Sequence, residues 1–187
     1  MEFLLVVLGL LILGALFFAL YVKNTFNRLV VLRNATTTAF AQIDTELQQR
    51  LDLVPALVAT VKGYASHEKQ TLEAVISARS AAVSATGPAE RLNQNENLTA
   101  SLGRLMLLAE AYPNLKADAS FLDLQNQLAQ LERKINLARR YYNETVLVFN
   151  TAQQQFPANL LAQRLGYSPS QSYSAKPEAA EPPKFEF

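Results

Sequence analysis

His67 is the only histidine of the 187-residue chain, and Glu68 follows it directly. A metalloprotease helix needs H-E-x-x-H, because two histidines four apart share a face and grip one zinc ion. Here the second position is Thr71, and no cysteine offers a thiolate in its place. Nitrogen and sulfur ligands therefore run out after one, and His67 reads as an exposed polar residue near a helix start. The six glycines are scattered, so neither a phosphate loop nor a dinucleotide fingerprint can be built. No G-x-S-x-G occurs. Asp44 and Glu46 are two apart, and residues so spaced point to different faces of a helix. The expectation is a protein that is not an enzyme, with no catalytic, cofactor-binding or metal-ligating residue and no cofactor.

The elements that carry these residues fall into three parts. Residues 3–22, FLLVVLGLLILGALFFALYV, contain no charge and only Tyr21 as a hydrogen-bonding side chain. At a 1.5 Å rise they span about 30 Å, the thickness of the hydrocarbon layer. Only a helix satisfies its own backbone there, so residues 1–23 are expected to be a transmembrane anchor. The rival, a cleaved signal peptide, lacks a basic n-region and an A-x-A site. Lys23, Arg28 and Arg33 precede the first acid after the run, Asp44, which places the remainder on the cytoplasmic side of a cell (inner) membrane crossed once. Ala15 and Ala19, four apart, read as lipid-facing. The formal net charge of +1 and the pI near 7.9 give no field that would draw nucleic acid.

From Lys23 onward apolar residues recur at helical spacing. One stripe runs Phe40, Ile43, Leu47, Leu51, Val54, Val58, Val61, Ala65 and passes straight through Pro55. An interior proline removes an amide donor and costs about 3 kcal/mol, so a kinked helix held by packing is expected. Gly63 weakens the helix near its end, and a turn is expected within residues 63–66, with Ser66 capping the next helix; one unbroken helix is the alternative. The stripe resumes at Leu72, Val75, Ile76, Arg79, Ala82 and Val83, and Gly87-Pro88 marks a turn. A further helix carries Leu92, Leu98, Leu102, Leu105, Ala109 and Tyr112, stopped by Pro113. The longest pattern is Phe121, Leu124, Leu128, Leu131, Ile135, Ala138, Tyr142, Thr145, Phe149, a heptad of coiled-coil type with Ser120 as a candidate N-cap. Pro157 closes it, before a short terminal helix ending at Gly166. No stretch alternates with period two.

The fold expected is all-α: the anchor, an antiparallel up-and-down four-helix bundle over residues 24–167, and a disordered proline-rich tail over residues 168–187. Asn24 to Ala39 holds no proline or glycine, which leaves room for the anchor and first bundle helix to be continuous. Arg79 interrupts one stripe and Glu132 flanks another, which suggests pairing with neighbouring helices. Arg133 and Arg140, seven apart, share a face that reads as solvated surface, with acidic lipid headgroups or a protein as the functional alternative. The closing KFEF reads as tail, with strand addition to a peptide-binding domain as its alternative.

Three blocks are similar to the LemA family: AFAQIDTELQQRLDLVPALVATVKGYASHEKQTLEAVISAR, EAYPNLKADASFLDLQNQLAQLE and INLARRYYNETVLVFNT, followed by FPANLLAQRLGY. The resemblance covers nearly the whole chain except the tail. It implies a single-pass bacterial membrane protein with a four-helix bundle and no assigned enzymatic activity. Some relatives are linked to membrane organisation, including magnetosome formation, and others to membrane metalloprotease genes; the family supplies no catalytic residue to carry over. The leading expectation is a non-catalytic scaffold or adaptor at the bilayer, recruiting protein partners. A self-assembling, homo-oligomeric membrane organiser is the second, and an accessory subunit of a membrane protease the third.

Overall fold

The computed structural model describes residues 1–164 and 166–173, and all regular structure among them is helical. Six helices follow in order: α1 (Glu2–Tyr64), α2 (Lys69–Ser84), α3 (Pro88–Ala109), α4 (Pro113–Lys116), α5 (Ala119–Gln154) and α6 (Ala158–Arg164). The N-terminal apolar run and the first core stripe thus belong to one continuous helix. Its apolar window has a mean hydropathy of 3.0 and none of it is buried, so α1 is long and apolar enough to cross a membrane. The expected tail from Ser174 and the KFEF end lie outside the described residues.

Two compact units share α1 and α5. In residues 40–140, Leu51, Val54, Leu57, Val58 and Val61 of α1 join Leu72 and Val75 of α2, Leu98, Leu102 and Leu105 of α3, Leu115 of α4 and Phe121 of α5 in one buried cluster. Helices of this length cannot hide a stripe alone, and here each stripe covers the others. Two expected core positions of α2 differ: Ile76 and Val83 face solvent, 53% and 55% exposed. Each lies a single residue off the buried line through Val75 and Ala82, and a helix turns about 100° per residue. The second unit comprises residues 1–39 with the described residues from 141 to 173. Its core is smaller: Leu29 packs with Ala152 of α5 and with Ala158 and Ala162 of α6.

Chain reversals follow from local chemistry. The expected break after Gly63 is present, with Ala65–Glu68 between α1 and α2, but Ser66 does not cap α2. Glu68 takes the N-cap place with no side-chain cap bond of its own. Its carboxylate instead accepts the Tyr112 hydroxyl at 3.1 Å. Gly87 turns the chain between α2 and α3 at φ +83°, a left-handed conformation that glycine adopts without a Cβ clash, and Pro88 opens α3. Glu90 then reaches back to the Thr86 amide at 2.9 Å, in the manner of a capping box. α3 ends at Ala109, ahead of Pro113, which starts α4 instead of merely stopping α3.

Asp118, not Ser120, caps α5. Its carboxylate accepts the Phe121 amide at 2.9 Å and the Tyr64 hydroxyl at 2.9 Å. The Phe121 amide, then the Tyr64 hydroxyl, hold its pKa below the ordinary 3.8, against the opposing effect of burial. A depressed carboxyl stabilises the fold above its unfolded pKa, and that contribution is lost as pH falls through the folded value. The melting temperature of the wild type should therefore exceed that of Asp118→Ala near neutral pH. The gap should narrow below pH 3.8. A gap that stays constant through acid would show that the carboxylate's charge plays no part.

Candidate functional site

Most of the residues singled out for chemistry are far from any constellation. His67 is exposed in the turn before α2, and Thr71 lies within α2. Among the described residues no group of three or more His, Cys, Asp and Glu side chains converges on a metal-sized space. Asp44 pairs with Arg91 of α3, whereas Glu46 faces Lys134 of α5 at 4.0 Å. Two carboxylates two residues apart thus serve two different helices, as the helical repeat requires. Arg133 and Arg140 are both exposed on α5.

What the fold does bring together is a buried polar node around Arg50, a residue the stripe reading passed over. Its side chain is fully buried. One guanidinium nitrogen donates to Thr99 Oγ1 at 2.7 Å and to Glu132 Oε1 at 2.6 Å. The other donates to the Asn95 carbonyl at 3.0 Å and to Asn95 Oδ1 at 2.8 Å. Asn95 is itself buried and donates through Nδ2 to the Arg91 carbonyl at 2.8 Å. An unpaired buried cation would be prohibitively unfavourable, so the α3 oxygens and the α5 carboxylate make Arg50 tolerable. Glu132 keeps 32% of its side chain open to solvent, which limits the desolvation on its side.

The sequence signals for this node were present. Arg50 is three residues from Leu47 and four from Val54, and Asn95 is three from both Leu92 and Leu98. Each is a polar residue at a core-facing step, the pattern expected of facing buried partners. Of the two expected pairings, Glu132 finds Arg50. Arg79 takes a different partner: its Nε donates to the Leu51 carbonyl at 2.9 Å. Leu51 is four residues before Pro55, so its carbonyl is the one left without an i+4 amide. The α2 arginine replaces the donor that proline removed from α1.

In the other unit the chain beyond α6 is held in place where a disordered tail was expected to begin. Gly166, at φ +66°, donates to the Gln163 carbonyl and Tyr167 to the Ala162 carbonyl, the paired bonds of a Schellman turn. Residues 168–173 then lie along α5. The Asn150 amide both donates to and accepts from the Ser170 backbone, at 2.9 Å each way. Asn143 does the same for Tyr173, at 2.9 and 2.7 Å. Tyr142 donates to the Gln171 carbonyl at 2.9 Å. The physical reason is geometric: seven helical residues rise about 10.5 Å, close to three residues of extended chain. Beside this segment Arg33 stacks over Tyr167, 4.7 Å from the ring centre. The recess between them has a volume of about 170 Å³. Pockets for small organic ligands start near ~300 Å³.

A LemA family model matches residues 39–187. Protein LemA of Metamycoplasma hominis is 27% identical over 154 residues, covering 80% of this chain and 68% of that protein. Magnetosome protein MamQ 2 of Paramagnetospirillum magneticum is 28% identical over 82 residues, 44% of this chain and 30% of the relative. Magnetosome protein MamQ of Magnetospirillum gryphiswaldense is 27% identical over a stretch of the same length. The matched stretch is thus less than a third of the magnetosome proteins' own length.

Proposed function

Because the chain belongs to the LemA family, we propose that it is a membrane-anchored helical protein that acts as a non-catalytic scaffold or adaptor. The observation that carries this reading is the continuity of α1, which holds an exposed apolar run at its start and one side of a packed core at its end. A single helix that is both lipid-soluble and bundle-forming tethers a folded surface to the bilayer. The core shared by α1, α2, α3 and α5 supports an antiparallel four-helix arrangement for residues 40–140. Buried Arg50 and Asn95 bond to each other and to Thr99 and Glu132, an arrangement suited to holding helices in register. The basic residues Lys23, Arg28 and Arg33 after the apolar run favour a cytoplasmic location for the folded part, at a cell membrane crossed once.

A second reading, a self-assembling protein that organises membrane, draws on the likeness to magnetosome proteins over 82 residues. Crosslinking in intact cells separates the two. A membrane-permeant reagent should join the full chain to other proteins, while an impermeant one should leave the folded part unmodified. Adducts composed only of further copies would replace the adaptor reading with self-assembly. Equal labelling by the impermeant reagent would reverse the orientation.

A further inference from the structure

The turn between α5 and α6 carries an exposed aromatic side chain that the unit's small core does not use. Phe156 is 75% exposed and Leu160, four residues on, is 56% exposed. Pro157 and Ala158, between them, are buried. The register of this unit fixes the level of the turn along α1. Arg33 and Phe149 flank the same recess, Leu29 packs with Ala152, and Tyr21 and Thr25 line a recess of about 80 Å³ with Phe156 and Pro157. Each four residues back along α1 is matched by three or four forward along α5, so Phe156 lies level with Thr25.

Thr25 is three residues beyond Val22, where the apolar run ends, or about 4.5 Å along the helix axis. The headgroup layer on each side of a bilayer is about 5–7 Å thick. If Val22 marks the edge of the hydrocarbon, the α5–α6 turn reaches into the headgroup layer. Its side chains match that environment. Tyr21 and Phe26 are 47% and 39% exposed on α1. Lys23 and Arg28 on α1 and Arg164 at the end of α6 are exposed cations. Aromatic rings and cations around an apolar edge are the composition of a membrane interface.

We propose that Phe156 and Leu160 form a second membrane contact, a wedge from the α5–α6 turn that enters the bilayer interface beside the α1 anchor. The occupant of this apolar surface is lipid, because the surface is continuous with the apolar run and flanked by cations. The inference rests on α1 spanning the membrane, and the test keeps the two apart. The chain has no tryptophan. F156W, L8W and L107W therefore each make a full-length protein with a single probe, at the turn, in the apolar run and at an exposed site of α3. Each is placed in phosphatidylcholine–phosphatidylglycerol vesicles containing lipids brominated at shallow or deep acyl positions. The F156W emission should shift to the blue and be quenched more by shallow than by deep bromines. L8W should be quenched most by deep bromines, and L107W by neither. If L8W is quenched while F156W emits like L107W, or shifts without being quenched, the wedge is overturned and the anchor stands. An unquenched L8W overturns both.

Discussion

Replacing Arg50 by methionine is expected to lower the unfolding free energy of the detergent-solubilised protein by about 3–5 kcal/mol, the range for breaking a buried ion pair from one side. The loss arises less from the attraction forgone than from what is left behind. Asn95 Oδ1 would keep its burial and lose its donor, and Thr99 Oγ1 and Glu132 Oε1 would lose theirs. The E132L substitution should be comparably harmful, because it leaves a guanidinium with no solvent access without its countercharge. The double replacement R50M/E132L removes both charges and should recover a large part of the loss. Denaturant titration followed by circular dichroism would measure the cycle, with coupling expected above about 1 kcal/mol. Additive single-variant losses would show that the node is not an energetic unit.

Pro55 and Arg79 should be coupled in the opposite sense to ordinary neighbours, because one compensates for the other. A hydrogen bond from a charged donor contributes about 1.5–3 kcal/mol, so R79M should destabilise the wild type by an amount in that range. In a P55A background residue 55 again supplies an amide to the Leu51 carbonyl. There R79M should cost only about 0.5 kcal/mol, since it leaves no polar group unsatisfied. P55A alone should stabilise by up to about 3 kcal/mol, the helix-interior cost of proline relative to alanine. Pro55 is exposed, so no cavity or clash offsets that gain. Equal effects of R79M in both backgrounds would mean the Arg79–Leu51 bond is unrelated to the missing amide.

These two results bear on how far the fold could be read from residue order. The stripe through Pro55 kept its helical phase, and the helix is indeed unbroken to Tyr64. The expectation that Arg79 and Glu132 serve neighbouring helices was sound, because a charge at or beside a core step needs hydrogen-bond partners. Their partners were not legible, since a partner across helices depends on relative rotation and offset, which periodicity within one helix does not encode. Arg50 was missed for a related reason. A stripe traced through apolar residues alone steps over a cation at the same spacing. Caps were misplaced by two residues, with Glu68 in place of Ser66 and Asp118 in place of Ser120, because several polar residues precede each helix and only the backbone path selects among them. The expectations of no catalytic, cofactor or metal residue rest on residue types and spacing alone.

The segment beyond Gly166 carries a different kind of information. Asn150 and Asn143 hold Ser170 and Tyr173 through main-chain atoms, which every residue except proline presents in full. Ser168, Pro169, Gln171 and Ser172 are exposed between these rungs. Those four positions can therefore drift through many side chains over evolutionary time while the seat on α5 is retained. A proline at 170 or 173 would remove the main-chain donor that Asn150 or Asn143 accepts.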